Sequence, residues 1–182
     1  PSAIFLSRYD EAIPGSIVMI SREGTRPLLV EVQALVDDAH GQPRRVALGL
    51  EQNRLNMLLA VMHRHGGVQT SGQDVYVNVV GGLKITETGS DLAVLLACAS
   101  SLRGKALPQQ LAVFCEVGLS GEIRPVPNGQ ERLKEATKHG FKYVILPRAN
   151  APQKSIDGVQ IIAVARLHEA LTEAMQLSDE LT

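Results

Sequence analysis

The stretch Gly81-Gly82-Leu83-Lys84-Ile85-Thr86-Glu87-Thr88-Gly89-Ser90-Asp91-Leu92-Ala93 decides how the rest of the chain is read. A β-prone run from Asp74 to Val80 leads into it, and an apolar helix beginning near Asp91 leads out. Between them a glycine pair and a polar turn deliver a side chain to the helix N-terminus. Peptide dipoles place partial positive charge there, so a serine at that point would be favoured as a nucleophile. The chain has Asp91 instead. The frame of a hydrolytic site is present and its nucleophile is absent.

Working outward, strands give way to helices and back again. Ser16–Ser21 and Leu28–Val36 are runs of Val, Ile and Leu, separated by the turn-like segment Arg22 to Pro27. A polar loop over 37–43 precedes a short strand at Arg45–Leu48. From Glu51 to His65 the residues Leu55, Leu58, Leu59 and Met62 recur at helical spacing, and Gly66-Gly67 stop the helix. Downstream come a strand at Leu111–Glu116, a turn at Gly118–Gly121, and a helix at Gly129–His139. Strands at Tyr143–Leu146 and Gln160–Val164 and a last helix at Arg166–Leu177 complete the pattern. The alternation predicts βαβ crossovers in a mixed sheet with flanking helices, an α/β (α+β) class, in one domain over 1–182.

Composition narrows the function. Apolar residues make up 45% of the 182, but aromatics only 3%, and tryptophan is absent. The core is therefore aliphatic, and recognition of single strands by base stacking lacks its side chains. A formal net charge of −1 gives the whole no strong pull on polyanions. No apolar run approaches the ~18 residues of a membrane span, and no signal peptide is visible, which points to the cytoplasm. Cys98 and Cys115 lie in apolar segments and read as buried, reduced thiols. His63 and His65 diverge around a helix, and no other histidine spacing suits a metal. No phosphate-binding loop of the Gly-x-x-x-x-Gly-Lys-Ser/Thr type occurs. The chain opens at Pro1 without an initiator Met, as a fragment of a longer protein would.

At the two helix starts where chemistry would be placed, the residues suit capping. Thr88 with Asp91, and Asn128 with Glu131, have capping-box spacing, which is worth about 1–2 kcal/mol per helix. Ser90, Lys84 and Ser120 are the nearby groups that could rescue a hydrolase. A shift from Asp91 to Ser90, however, turns the side chain by about 100° around the helix. Seven Lys/Arg against three acids between Ser120 and Lys154, with Arg44, Arg45, Arg54 and Arg64 earlier, make local basic groups in a neutral chain. Arg45, Arg54, Arg124 and Arg132 are the candidates for phosphate contact, since guanidinium forks suit phosphate oxygens.

The chain resembles the Lon protease domain and, more closely, the C-terminal Lon-like domain of the bacterial DNA-repair ATPase family RadA (Sms). The resemblance rests on Pro1-Ser-Ala-Ile-Phe-Leu6, Glu23 to Val36, Gly49-Leu-Glu-Gln-Asn-Arg-Leu55, Val79-Val-Gly-Gly82 and Gly121-Glu-Ile-Arg-Pro-Val126, and covers essentially the whole chain. It implies a Lon-like fold of the ribosomal protein S5 domain 2 type. Aligned on the serine motif, Asp91 takes the nucleophile's place. Aligned on the lysine motif, Gln130 takes the base's place. The resemblance therefore implies a proteolytically silent domain acting as the scaffold of a homo-hexameric ring. It implies a role on single-stranded or branched DNA, with recombinase partners and no membrane. A zinc finger and a RecA-like ATPase, with Zn, ATP and Mg, belong to parts of the parent outside this chain, and no cofactor is expected here. The rival readings are an active Ser/Lys peptidase and an oligomerisation platform without DNA contact.

Overall fold

The computed structural model describes residues 3–7 and 10–182; Pro1 and Ser2 of the first signature stretch lie outside them. The elements in order are β1 (Ala3–Phe5), β2 (Ser16–Glu23), β3 (Arg26–Asp38), β4 (Arg45–Leu48), α1 (Gln52–Gly66), β5 (Gln73–Val79) and α2 (Asp91–Arg103). They continue with β6 (Leu111–Val113), β7 (Glu116–Val117), β8 (Ile123–Arg124), α3 (Gly129–Lys138), β9 (Tyr143–Pro147), β10 (Gln160–Val164) and α4 (Leu167–Leu181). The main sheet runs β10-β9-β6-β2-β3-β5-β4, and β7 and β8 form a separate small hairpin. The expected mixed α/β layering is therefore what the chain adopts.

The 13-residue β3 is the spine. Its residues 26–33 pair antiparallel with β2. Its other edge is divided, with β1 parallel along Leu28–Val30 and β5 antiparallel along Val32–Asp38. The pairs β2–β6, β6–β9, β9–β10 and β4–β5 are parallel. Strand side chains alternate between faces, so one segment feeds two cores. Ile17 and Met19 join the core under α1, α2 and α4, while Val18 and Ile20 join a second core under α3. Helix α2 is buried from Asp91 through Ser100, the mark of a helix enclosed on all sides.

Helix α1 stops where glycine predicts it. Gly67 takes φ 68, a left-handed conformation open to glycine, and its N–H caps the Met62 carbonyl. The strand expected at Leu111–Glu116 is broken instead. Val113 ends β6, and Cys115 N donates to Gly89 O at 3.1 Å while Leu92 N reaches Cys115 O at 3.4 Å. Phe114 N still donates to Ile145 O of β9 at 3.2 Å, and it is the backbone at Cys115 that turns from the sheet to close the entry of α2. Helix α4 runs past the expected Leu177 because Ser178 is also buried and its Oγ donates to Ala106 O. Both thiols are free and buried, and burial pushes Cys98 up to about 12.

Candidate functional site

Helix α2 begins against the β7–β8 hairpin and the first turns of α1, and those three elements meet on Asp91. Oδ1 of Asp91 accepts from Arg54 Nε at 3.0 Å, and Oδ2 takes a short bond from Arg54 Nη2 and another from Val117 N at 3.0 Å. Arg54 Nη2 also reaches Val117 O at 3.4 Å. Asp91 is buried, whereas the Arg54 side chain keeps 29% of its surface in water. Burial pushes the Asp91 carboxyl above its ordinary 3.8, and the guanidinium and the Val117 amide pull it back. The same contact holds Arg54 above its own ordinary value. A guanidinium fork on both oxygens plus a backbone N–H fits the carboxylate, so the pair is ionic.

This corrects the expectation of a Thr88–Asp91 capping box. Ser90 stands at the N-cap of α2 with no side-chain cap bond, and its Oγ donates to Glu87 O at 3.1 Å. Asp91 turns to Arg54 because a charged, bidentate donor on a buried carboxylate outweighs one cap amide. The second box is not formed either. Asn128 sits at φ 61 with no cap bond, and its Oδ1 accepts from Arg22 Nη1 across the entry to α3. Gln130 lies exposed on the first turn of α3, and no hydrogen bond links it to Asp91. Ser120 is an exposed turn residue whose N–H donates to Glu122 Oε1 at 3.0 Å.

Beside the ion pair lies a cleft of about 720 Å³. One wall is the end of β4 and the start of α1, with Leu48, Gly49, Leu50 and Glu51; the other is the extended segment from Lys84 to Thr88. Ile85 N donates to Gly49 O at 2.7 Å and pins the two walls together at one point. Glu87 anchors the second wall from behind. Its Oε2 accepts from Ser21 Oγ and Arg22 N, both at 3.0 Å, and its Oε1 lies 2.8 Å from Arg132 Nη1.

The four arginines singled out from sequence are not equivalent. Arg132 is buried, donating to Ile20 O at 2.9 Å and Pro127 O at 3.0 Å and stacking over Phe114. Its guanidinium is therefore spent inside the protein and does not present itself to a phosphate. Arg54 is committed to Asp91. Arg45 lies half-buried, donating to Gln73 O at 2.5 Å and Thr70 O at 3.1 Å. Arg124 is exposed but forks onto Glu122, with Nη2 3.0 Å from Oε2. The structure brings Arg54 and Asp91 together and leaves Arg45, Arg124 and Arg132 on separate elements. Among the described residues no group of three or more His, Cys, Asp or Glu could hold a metal, and no helix is long and apolar enough to cross a membrane.

The Arg54–Asp91 pair was the feature missed from sequence. Its signal was a lone acid opening a helix that is otherwise apolar through Ala99, together with an arginine directly before the core residue Leu55. For Arg132 the signal was stronger, since Gly129, Arg132, Leu133 and Ala136 fall on one helical stripe, all buried.

Residues 47–150, more than half of the chain and the span holding Arg54, Asp91 and Gln130, match the profile of a family described as "Subunit ChlI of Mg-chelatase". The chain is 66% identical over 172 residues to "DNA repair protein RadA" of Pseudomonas aeruginosa, 65% over 173 to that of Escherichia coli, and 41% over 177 to that of Bacillus subtilis. These matches cover 94–96% of this chain but only 38–39% of each relative, so the chain spans well under half the length of the proteins it resembles. The chain belongs to the family described as subunit ChlI of Mg-chelatase, and over 94% of its length it is RadA-like.

Proposed function

We propose that this chain is one Lon-like domain, proteolytically silent, of a RadA-type DNA repair and recombination ATPase. It serves as scaffold of a cytoplasmic homo-hexameric ring and contributes to binding single-stranded or branched DNA. One observation carries the silent part of the reading. The side chain at the head of α2 is a carboxylate already consumed by Arg54 and Val117, and the position aligned with a base is an exposed glutamine. Held on both oxygens, the carboxylate is not free to attack a peptide, and a glutamine amide does not take up a proton at neutral pH. Ser90, the nearest hydroxyl, is buried and donates to a main-chain carbonyl. That opposes the rival reading as an active Ser/Lys peptidase.

The DNA part follows the name carried by the relatives, with the ATPase and its Zn, ATP and Mg assigned to sequence outside this chain. Contact with phosphate falls to the arginines that still meet water, Arg124 first and Arg45 second. The alternative, an oligomerisation platform without DNA contact, gains from the commitment of Arg54 and Arg132, two of the four candidates, to partners within the fold. The deciding experiment is a titration of the chain with single-stranded DNA at several salt concentrations, beside a fluorogenic peptide assay. DNA affinity falling steeply with salt, with no peptide turnover, supports the proposal. Salt-independent or absent binding leaves the platform, and turnover abolished by Ser90→Ala restores the peptidase.

A further inference from the structure

Helix α1 has an apolar cleft at one end and an apolar knob at the other. The cleft is the one beside Arg54, whose rim carries Leu48, 60% exposed. The knob is Leu119, 67% exposed at the tip of the β7–β8 turn. The hairpin runs alongside α1: Val117 O accepts from Arg54 near the helix start, and the Gly121 backbone packs against His65 near its end. Along the helix Arg54 and His65 stand eleven residues apart, about 16 Å of rise.

Leu119 is not a leucine on a loose tip. Gly118 N donates to Glu122 O at 2.9 Å, Arg166 Nη2 to Ser120 O at 2.8 Å, and Leu167 N to Gly121 O at 2.8 Å. These bonds fasten the turn to the start of α4 and hold its apolar side chain outward, away from the chain's own cleft. Both features carry charges of both signs, and one pair across them is complementary. Lys84 is exposed at the cleft and has no ion-pair partner among the described residues, while Glu122 stands at the base of the knob and accepts from Ser120 N and Arg124.

We propose that Leu119 of one copy seats in the cleft between Leu48 and Ile85 of a second copy, with Glu122 facing Lys84. This rests on the ring reading above and gives it a contact. A knob and a cleft at opposite ends of one helix make a head-to-tail interface, the kind that propagates around a ring rather than pairing two copies face to face.

The test joins the two ends with a disulfide. Cys98 and Cys115 are buried and do not compete. The chain carrying both Leu119→Cys and Leu48→Cys is oxidised mildly and run without reductant, beside each single variant, and wild type and Leu119→Asp are sedimented across concentration. The expected result is a ladder of linked dimers and higher species from the double variant alone, and a lower mass for Leu119→Asp. An assembled wild type with no ladder and an unchanged Leu119→Asp would keep the ring and overturn this contact. A ladder from a chain that sediments as a monomer would keep the contact as a weak one and overturn the stable ring. A monomer with no ladder would overturn both.

Discussion

Arg132 and Glu87 meet at 2.8 Å with the arginine side chain only 3% exposed, so a single ion pair fastens the wall of the main cleft to helix α3. The guanidinium divides its remaining bonds between Ile20 O in β2 and Pro127 O ahead of α3. Arg132→Ala strands two carbonyls and a carboxylate, and about 3 kcal/mol of stability is expected to go with it. Denaturant melts measure this directly. Arg132→Lys recovers only part of the loss, because an ammonium cannot fork to three acceptors in plane.

Arg54 and Asp91 are expected to behave as one unit. Asp91→Leu or Arg54→Leu alone costs about 2–3 kcal/mol, somewhat below the full cost for a buried pair because Arg54 is partly in water. The double replacement costs less than the sum of the two by at least about 1 kcal/mol. A double-mutant cycle that comes out additive would show that the pair carries no energy.

Restoring the aligned residues does not restore peptide hydrolysis. Asp91→Ser with Gln130→Lys orphans Arg54 at the place where the base would act, and the fixed cation there repels the new lysine from the serine. A fluorogenic peptide is expected to show no turnover above the wild-type background, and thermal melting is expected to fall by several degrees.

The thiols set an alkaline limit. Cys98 is raised from 9.0 to about 12 by burial, and Cys115 is raised by burial and by the charge of Asp91. A folded pKa above the unfolded one means the native state holds its proton longer. The Cys98 contribution is therefore complete below pH 9 and declines as pH rises towards 12, by about 1.4 kcal/mol per pH unit, and Cys115 adds a loss of the same sign. Cys98→Ala flattens that decline, and a thiol reagent at pH 8 labels neither cysteine until the chain unfolds.

If DNA is held through Arg124, Arg124→Glu weakens single-strand binding and lowers the slope of log affinity against log salt by about 0.7 for each phosphate no longer neutralised. Arg132→Lys, whose site is internal, leaves the slope of the folded fraction unchanged. An equal effect from both would place the phosphates elsewhere.

Much of the fold was legible because its elements are regular. Helix α2 spans Asp91–Arg103 and β10 spans Gln160–Val164, as apolar runs between turn residues predict. Errors arose where distant backbone supplies the partner. Phe114 and Cys115 are as apolar as any strand, yet Cys115 bonds with Gly89 and the ladder stops at Val113. The three-residue β1 is too short to carry periodicity and exists only because the upper edge of β3 is free to receive it. At the site, local spacing suggested caps for Asp91 and Asn128. Their actual partners, Arg54 and Arg22, lie 37 and 106 residues away in sequence. Capping propensity is local information, whereas a buried charge is assigned by whichever opposite charge the fold brings within reach.

The position of β6 has a consequence for synthesis. The edge of β2 that faces away from β3 is completed only by Ala112 and Val113, more than ninety residues later in the chain. A nascent chain leaving the ribosome therefore carries an open, strongly apolar β-edge until the whole of α2 and the turn beyond it have emerged. The local contacts of the β2–β3 hairpin favour early formation, whereas its outer edge waits for β6. The interval before residue 113 appears is the period in which this chain most needs a chaperone, and truncations ending between α1 and β6 are expected to aggregate rather than fold.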